Sequence, residues 1–325
     1  MRQVTLKGDY YEMGFQYGQL MKKQGFDLAE PSDAKIILAK ASEDEVKKYF
    51  PEILDEIRGF SDATGVMYYK VRSLILTVSV APSCTCFAAT GQATKDGKTI
   101  FGRNYDMFYW LKKGAETYIT YHKGANSSIG NSDIFIGRED GINDKGLAVG
   151  LASVNCEGRQ PGFIFPLVVR LLLDKCADVD EAIKLATKIP HLKSMTYLLA
   201  DKSGKMAALE VTTNRIHVRR PSSDYIIITN HFQEPRMQEL ENLNERPPDS
   251  PQRYQGVDRL LSLNLGKIDL EFAKKILRDH ESLICSHIET IKLGTLWSLV
   301  ASPEERTAWI ADGHPCKTEY QPFSL

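Results

Sequence analysis

Two short runs carry the residue types with the most chemistry in this chain. Cys84 and Cys86 stand in Ser83-Cys84-Thr85-Cys86-Phe87-Ala88-Ala89, and Arg103 and Asp106 in Gly102-Arg103-Asn104-Tyr105-Asp106. A thiolate, not a thiol, is the nucleophilic form of cysteine, and a neighbouring guanidinium favours it because opposite charge stabilises the ionised state. Between the runs lies Lys95-Asp96-Gly97-Lys98, whose Asp-Gly pair is a turn signal. The spacing therefore predicts strand, turn and strand, which brings Arg103 and Asp106 back beside the start of the first strand. Arg103 falls nineteen positions after Cys84 and seventeen after Cys86, so either thiol fits the hairpin. The chemistry implied is attack of sulfur on an acyl carbonyl, which also needs a base and donors for the oxyanion. Asn230 follows the apolar run Tyr225-Ile226-Ile227-Ile228-Thr229, and a neutral amide at the end of a buried strand is a suitable oxyanion donor. None of the seven histidines sits in a recognisable cysteine-protease motif. Read as half of a metal site, Cys84-x-Cys86 lacks a second ligand pair nearby.

Cys84-Thr85 followed one hairpin later by Gly102-Arg103-Asn104-Tyr105-Asp106 resembles the N-terminal-nucleophile (Ntn) amide hydrolases. The penicillin acyltransferase-like group is nearest, with choloylglycine hydrolase and N-acylethanolamine acid amidase as relatives. The resemblance extends to Gly141-Ile142-Asn143-Asp144-Lys145-Gly146-Leu147, to Thr229-Asn230-His231 and to the closing block from Thr295 to Cys316. It implies a four-layer αββα sandwich of the α+β class in which Cys84 opens the mature chain after autocatalytic cleavage of Ser83-Cys84. The base would then be the new α-amine of Cys84, whose ordinary pKa of about 7.7–8.0 lies close to the thiol's at about 8.5. On the same resemblance Arg103 holds the thiolate or the substrate carbonyl, Asp106 orients the ammonium, and Asn230 binds the oxyanion. Asn155 contributes near the oxyanion, although by strict count Ser153 falls at that place. Arg253 matches the arginine of a Ser-x-x-Arg helix start. Ser83 departs from the glycine often found before the nucleophile, and His314 from the usual Gly-Asn-Pro-Cys ending. The resemblance implies no metal or organic cofactor, and a small-molecule N-acyl amide as substrate.

The elements that must position these residues divide the chain into a helical leader, 1–83, and a catalytic domain, 84–325. In the leader, Gly14 and Gly18 suit close helix packing, and Ser42-Glu43-Asp44-Glu45 reads as a capping box. Val46, Phe50, Ile53, Ile57 and Phe60 mark one helical face after it, ended by Ala63-Thr64-Gly65. That apolar face and the direct run into Cys84 suggest a lid over the nucleophile. Val71 to Val80 reads as an apolar segment, β-rich at its end. Beyond Cys84, strands are expected at 118–121, 134–136, 147–151, 205–211, 215–219, 225–229, 296–301 and 307–311. Helices are expected at 165–176, 178–189, from Ser250-Pro251 onward and at 269–279, and 239–250 reads as a polar loop that could cover a site.

Composition bounds the rest. The chain has 325 residues, 42% of them hydrophobic, and a formal net charge of -1 from 41 basic and 42 acidic residues. That balance gives no reason to expect nucleic acid or an anionic membrane as partner. There is no run of about 18 apolar residues and no apolar signal-peptide core, so the expectation is a cytoplasmic protein. Six cysteines in so long a chain read as thiols rather than a disulfide framework. Two other functions stay open beside amide hydrolysis: an acyl-CoA-dependent N-acyltransferase of the same fold, and an unprocessed non-catalytic binding protein. A homo-oligomer also stays open.

Overall fold

The computed structural model describes residues 1–78 and 83–325. The fold is α+β, with two sheets packed face to face and helices on both outer faces. The first sheet has eight strands: β1 (Arg2–Gly8), β4 (Glu116–His122), β5 (Ser128–Ser132), β6 (Asp140–Asn143), β7 (Leu147–Ser153), β8 (Met195–Asp201), β9 (Met206–Val211) and β10 (Ile216–Arg219), in that spatial order. The second runs β11 (Tyr225–Ile228), β2 (Ser83–Ala89), β3 (Ile100–Phe108), β13 (Leu293–Ser302), β14 (Thr307–Ala311) and β15 (Tyr320–Ser324), with β12 (His287–Ile288) paired to β13. The first sheet is covered by α1 (Tyr10–Lys22), α2 (Asp33–Tyr49), α3 (Glu52–Thr64), α4 (Tyr68–Thr77), α5 (Phe165–Lys175) and α6 (Val179–Ala186). The second is covered by α8 (Ser250–Ser262) and α9 (Leu270–Leu277), and α7 (Pro235–Gln238) is a single turn near β11. Among the described residues no helix is long and apolar enough to cross a membrane.

β2 and β3 lie inside the second sheet and have both faces covered, so their residues are buried almost without interruption. The strand period of two decides which face each side chain joins. Cys84, Cys86 and Ala88, with Phe101 and Tyr105, enter the apolar layer between the sheets, whereas Phe87, Ala89 and Ile100 pack against α8 and α9.

The leader differs from its sequence reading in four ways. It is not wholly helical: residues 2–8 form β1, which pairs in parallel with β4 and is the edge strand of the eight-stranded sheet. Asp9 then caps α1, with Glu12 completing a capping box. Ser42 caps nothing; it lies mid-helix in α2, buried, and its hydroxyl accepts a hydrogen bond from the Gly162 amide. The helix after it stops at Phe50 and a new one starts past Pro51, where a proline fits the first turn but not an interior. Finally, Val46, Phe50, Ile53, Ile57 and Phe60 all point into the core shared with the outer face of the eight-stranded sheet and with α5, so the leader helices do not sit over Cys84. The glycine expectation agrees with the packing: a Cβ on Gly14 would overlap the Glu56 carbonyl and one on Gly18 the α3 backbone.

Downstream, residues 134–136 form bends rather than a strand, and β5 and β6 flank them. The start of the 71–80 segment is helical, as part of α4; its last two residues, with 81 and 82, lie outside the described residues.

Candidate active site

Strand register builds the site. In the antiparallel β2–β3 pair, Ser83 lies opposite Asp106, Cys84 opposite Tyr105 and Cys86 opposite Arg103. Arg103 leans along the strand so that Nη2 donates to the Cys84 sulfur at 3.1 Å while Nε donates to the Leu151 carbonyl at 3.1 Å. Its Nη1 donates to Asp140 Oδ2 at 2.5 Å, and the same oxygen accepts from Trp297 Nε1 at 2.8 Å. Asp140 Oδ1 takes the Asn131 amide at 2.8 Å. A buried cation thus has a buried, fully engaged anion on one side and the thiol on the other. Trp297 also stacks on Tyr105 at 3.8 Å.

The backbone of Cys84 is gripped from the α8 side. Its N–H donates to Asn230 Oδ1 at 2.8 Å. Asn230 Nδ2 donates to the Ser153 carbonyl at 2.9 Å, with the Ser153 hydroxyl at 3.3 Å. Arg253, at the first turn of α8, donates through Nη1 to the Cys84 carbonyl at 2.6 Å and to Thr85 Oγ1 at 3.0 Å. Through Nη2 it reaches Asn230 Oδ1 at 2.9 Å and the Ser83 hydroxyl at 3.0 Å. The Ser250-Pro251 start of α8 delivers that arginine, with Asp249 pairing its Nε at 2.9 Å.

The structure therefore gathers Cys84, Arg103, Asn230 and Arg253 into one hydrogen-bonded group around the Ser83-Cys84 peptide. Asp106 stands opposite Ser83, with Oδ1 accepting from Thr295 and Oδ2 without a partner among the described residues. Asn155 is not part of that group: its Nδ2 donates to the Glu245 carbonyl at 2.8 Å and its carbonyl accepts from Asn242, so it anchors the 239–250 loop. Ser153 is the residue that meets Asn230. Cys86 is as fully buried as Cys84, its sulfur donating to the Leu151 carbonyl at 3.5 Å. Sequence reasoning missed Asp140, Trp297 and Thr295, while Ser153 is the position that the strict count had marked. Asp140 leads the Gly141 turn segment and was open to notice, but its pairing with Arg103 spans 37 residues and has no local signature.

A cavity of about 600 Å³ opens beside Ser83. Met107, Phe108, Leu283, Ile288, Ile291 and Leu293 give it an apolar lining, and Ser153, Asn155 and residues 244–249 form the opposite wall. The 239–250 loop thus contributes to the pocket at this site.

Burial sets the protonation states. The guanidinium does lie beside the Cys84 thiol, yet desolvation outweighs it and pushes the thiol up to about 12, with Asp106 and Glu139 adding to the rise. In the intact chain Cys84 is a neutral thiol. Burial also lifts Asp106 to about 7, against the pull of Arg253, the Thr295 hydrogen bond and Arg103, with Asp249 raising it further; Cys285 and Tyr109 face it as well. A carboxyl raised on folding binds its proton more tightly in the native state. Its contribution to stability is full below about pH 4, the unfolded value, and is lost as pH rises through about 7. We expect the urea midpoint of an intact, unprocessed chain to fall over that window and Asp106→Asn to flatten the fall. Superimposable pH profiles for the two proteins would exclude Asp106 as the titrating group.

Comparison with known proteins agrees with the fold. The fold is that of the Ntn hydrolases. A penicillin V acylase from Agrobacterium tumefaciens superposes with a TM-score of 0.54 at 14% identity, over 74% of this chain and 86% of that one. The Caenorhabditis elegans ortholog of N-acylethanolamine-hydrolyzing acid amidase superposes with a TM-score of 0.50 at 16% identity, over 74% of this chain and 100% of that one. Residues 92–317, more than two thirds of the sequence, match the family model described as acyl-coenzyme A:6-aminopenicillanic acid acyl-transferase, and the chain belongs to that family. The matched span starts eight residues beyond Cys84. An uncharacterized protein of Archaeoglobus fulgidus is 23% identical over 84% of this chain, which spans only 57% of that relative's length.

Proposed function

We propose that this protein is a cysteine Ntn hydrolase that cleaves a linear N-acyl amide through a thioester on Cys84. The observation that carries the reading is the position of the Cys84 sulfur 3.1 Å from Arg103 while the Cys84 nitrogen is held at 2.8 Å by Asn230, next to Ser83, which lines an apolar cavity. Cys84 is preferred to Cys86 because its sulfur accepts from Arg103 Nη2 and its neighbour Ser83 lines that cavity, whereas the Cys86 sulfur turns to the Leu151 carbonyl.

Maturation begins with attack of the Cys84 sulfur on the Ser83 carbonyl carbon. The C–N bond breaks as the C–S bond forms, and water then hydrolyses the thioester, leaving a carboxylate on Ser83 and a free amine and thiol on Cys84. The amine can take the thiol proton, which the peptide nitrogen of the intact chain cannot. Sulfur attacks the substrate carbonyl, the Asn230 amide donates to the oxyanion, and Arg103 stabilises the sulfur as it carries charge. The proton held by the amine goes to the leaving amine, with Asp106 orienting the ammonium. Water resolves the thioester. The apolar lining of the cavity suits an apolar acyl group.

Mass spectrometry of the full chain tests the first step: mature protein starts at Cys84. Activity on a panel of N-acyl amides should rise in step with that new terminus. Full activity in a chain verified as uncleaved would require another base and sink the mechanism. The leader should remain attached after cleavage. β1 contributes an edge to the eight-stranded sheet, and Glu56 of α3 pairs with Arg170 of α5 at 2.9 Å with both side chains buried. The 83-residue fragment and the 84–325 fragment are expected to co-elute in native size exclusion and separate only on denaturation. Free elution of the leader would show that this shared core does not hold the two fragments together.

The family model's name favours a second reading, acyl transfer from acyl-coenzyme A to an amine. The same thioester serves both, and only the donor and acceptor differ. Supplying an acyl-CoA with an amine, and separately an N-acyl amide with water, distinguishes them by which pair is consumed.

A further inference from the structure

Four ligand-type side chains outside the nucleophile's group converge at one end of the cavity. His280 and Cys285 come from the loop after α9, His287 from β12, and Cys316 from the turn between β14 and β15. The two sulfurs and one ring nitrogen from each histidine all lie within 4.8 Å of one another. His287 Nε2 is 3.4 Å from the Cys285 sulfur and 3.2 Å from the Cys316 sulfur. Tetrahedral zinc with ordinary bond lengths to sulfur and nitrogen separates its S and N ligands by about 3.5 Å, so these spacings need only small adjustment.

Local backbone brings the set together. Leu283, with φ of 60°, turns the loop back, its amide donating to the His280 carbonyl at 3.2 Å, and the Cys285 amide donates to the Asp279 carbonyl at 2.8 Å. Arg278 Nε donates to the Pro315 carbonyl at 2.8 Å, which ties the α9 loop to the turn bearing Cys316. The sequence reading took Cys285 and Cys316 as ordinary thiols; they lie 31 positions apart, and the pairing of β12 and β14 with β13 brings their loops together.

We propose that His280, Cys285, His287 and Cys316 form a structural Zn²⁺ site. Two thiolates and two neutral imidazoles are a donor set that selects zinc over hard cations, and four protein ligands leave no open position for catalysis. The site serves as a clamp. His280, Cys285 and His287 line the cavity together with Leu283 and Ile288, so a metal there pins the apolar wall to the C-terminal strands. Binding releases the two thiol protons and forms two S–Zn and two N–Zn bonds, with no change of oxidation state.

Metal analysis of the full chain, purified with Zn²⁺ in the medium and desalted, is expected to give one zinc per chain. Co²⁺ in its place should give thiolate-to-cobalt charge-transfer absorption. Cys316→Ser and His287→Ala should lose both signals. Because a misfolded variant would also lose both signals, a second measurement uses the unaltered protein: Cys285 and Cys316 should resist alkylation until a chelator is added, then become labelled. Three results would overturn the proposal: no stoichiometric metal after incubation with excess Zn²⁺, alkylation of both thiols regardless of chelator, or a Cys285–Cys316 disulfide seen as a mass two hydrogens lighter.

Discussion

Cys84→Ala is expected to give a folded, uncleaved 325-residue chain with turnover at background, a loss on the order of 10⁶-fold if this nucleophile behaves like others that act as a unit with their base. The reason is double. The substitution removes the sulfur that attacks the substrate, and it removes the sulfur that frees the α-amine, so nucleophile and base disappear together. The fold should tolerate the change, because among the described residues the sulfur's single hydrogen bond is with Arg103, and that guanidinium keeps Asp140 and the Leu151 carbonyl. The companion variant Cys86→Ser should still cleave and still turn over. Intact mass, thermal melting and N-acyl amide hydrolysis, measured on both, decide the matter. Turnover surviving in Cys84→Ala would move the nucleophile elsewhere.

Asn230→Ala should lower kcat on the order of 10²–10³-fold, the cost of one oxyanion donor. The structure adds a second consequence. Asn230 Oδ1 is also where the Cys84 amide and Arg253 Nη2 meet, so the variant should mature more slowly as well. The two effects separate if the rate is taken per mature chain, counted by its new N-terminal cysteine. Burst kinetics with an activated ester would show acylation slowed. An unaltered rate per mature chain would reduce Asn230 to a residue that holds the strand end.

The hairpin that carries Cys84, Arg103 and Asp106 was legible because its information is local. The Asp-Gly turn and two apolar runs fix the register, and the register fixes which side chains lie opposite. Asn230 and Arg253 were legible for a related reason: each sits at the end or start of one element with a clear signal, a buried strand and a Ser-Pro helix start. The leader misled where local signals had no means of showing tertiary partners. Ser42-Glu43-Asp44-Glu45 has the composition of a cap, yet burial of Ser42 against Gly162 and of Glu43 against Arg72 makes it mid-helix. The polar-apolar alternation of residues 2–8 is short, and its strand forms because β4 offers an edge more than 100 residues away.

By itself, then, the sequence determined the hairpin of Cys84 and Arg103 and the apolar helix face of the leader, because periodicity and turn chemistry are properties of neighbouring residues, while the αββα class followed from the resemblance of its motifs to a known family. Tertiary structure decided where that face packs, how Asp140 and Trp297 hold Arg103, and that Ser153 rather than Asn155 meets Asn230. It also decided the charge state of the thiol. A guanidinium 3.1 Å away favours thiolate, but complete burial of Cys84 removes the water that would share in stabilising that charge, and only the packed structure shows that desolvation is the larger effect.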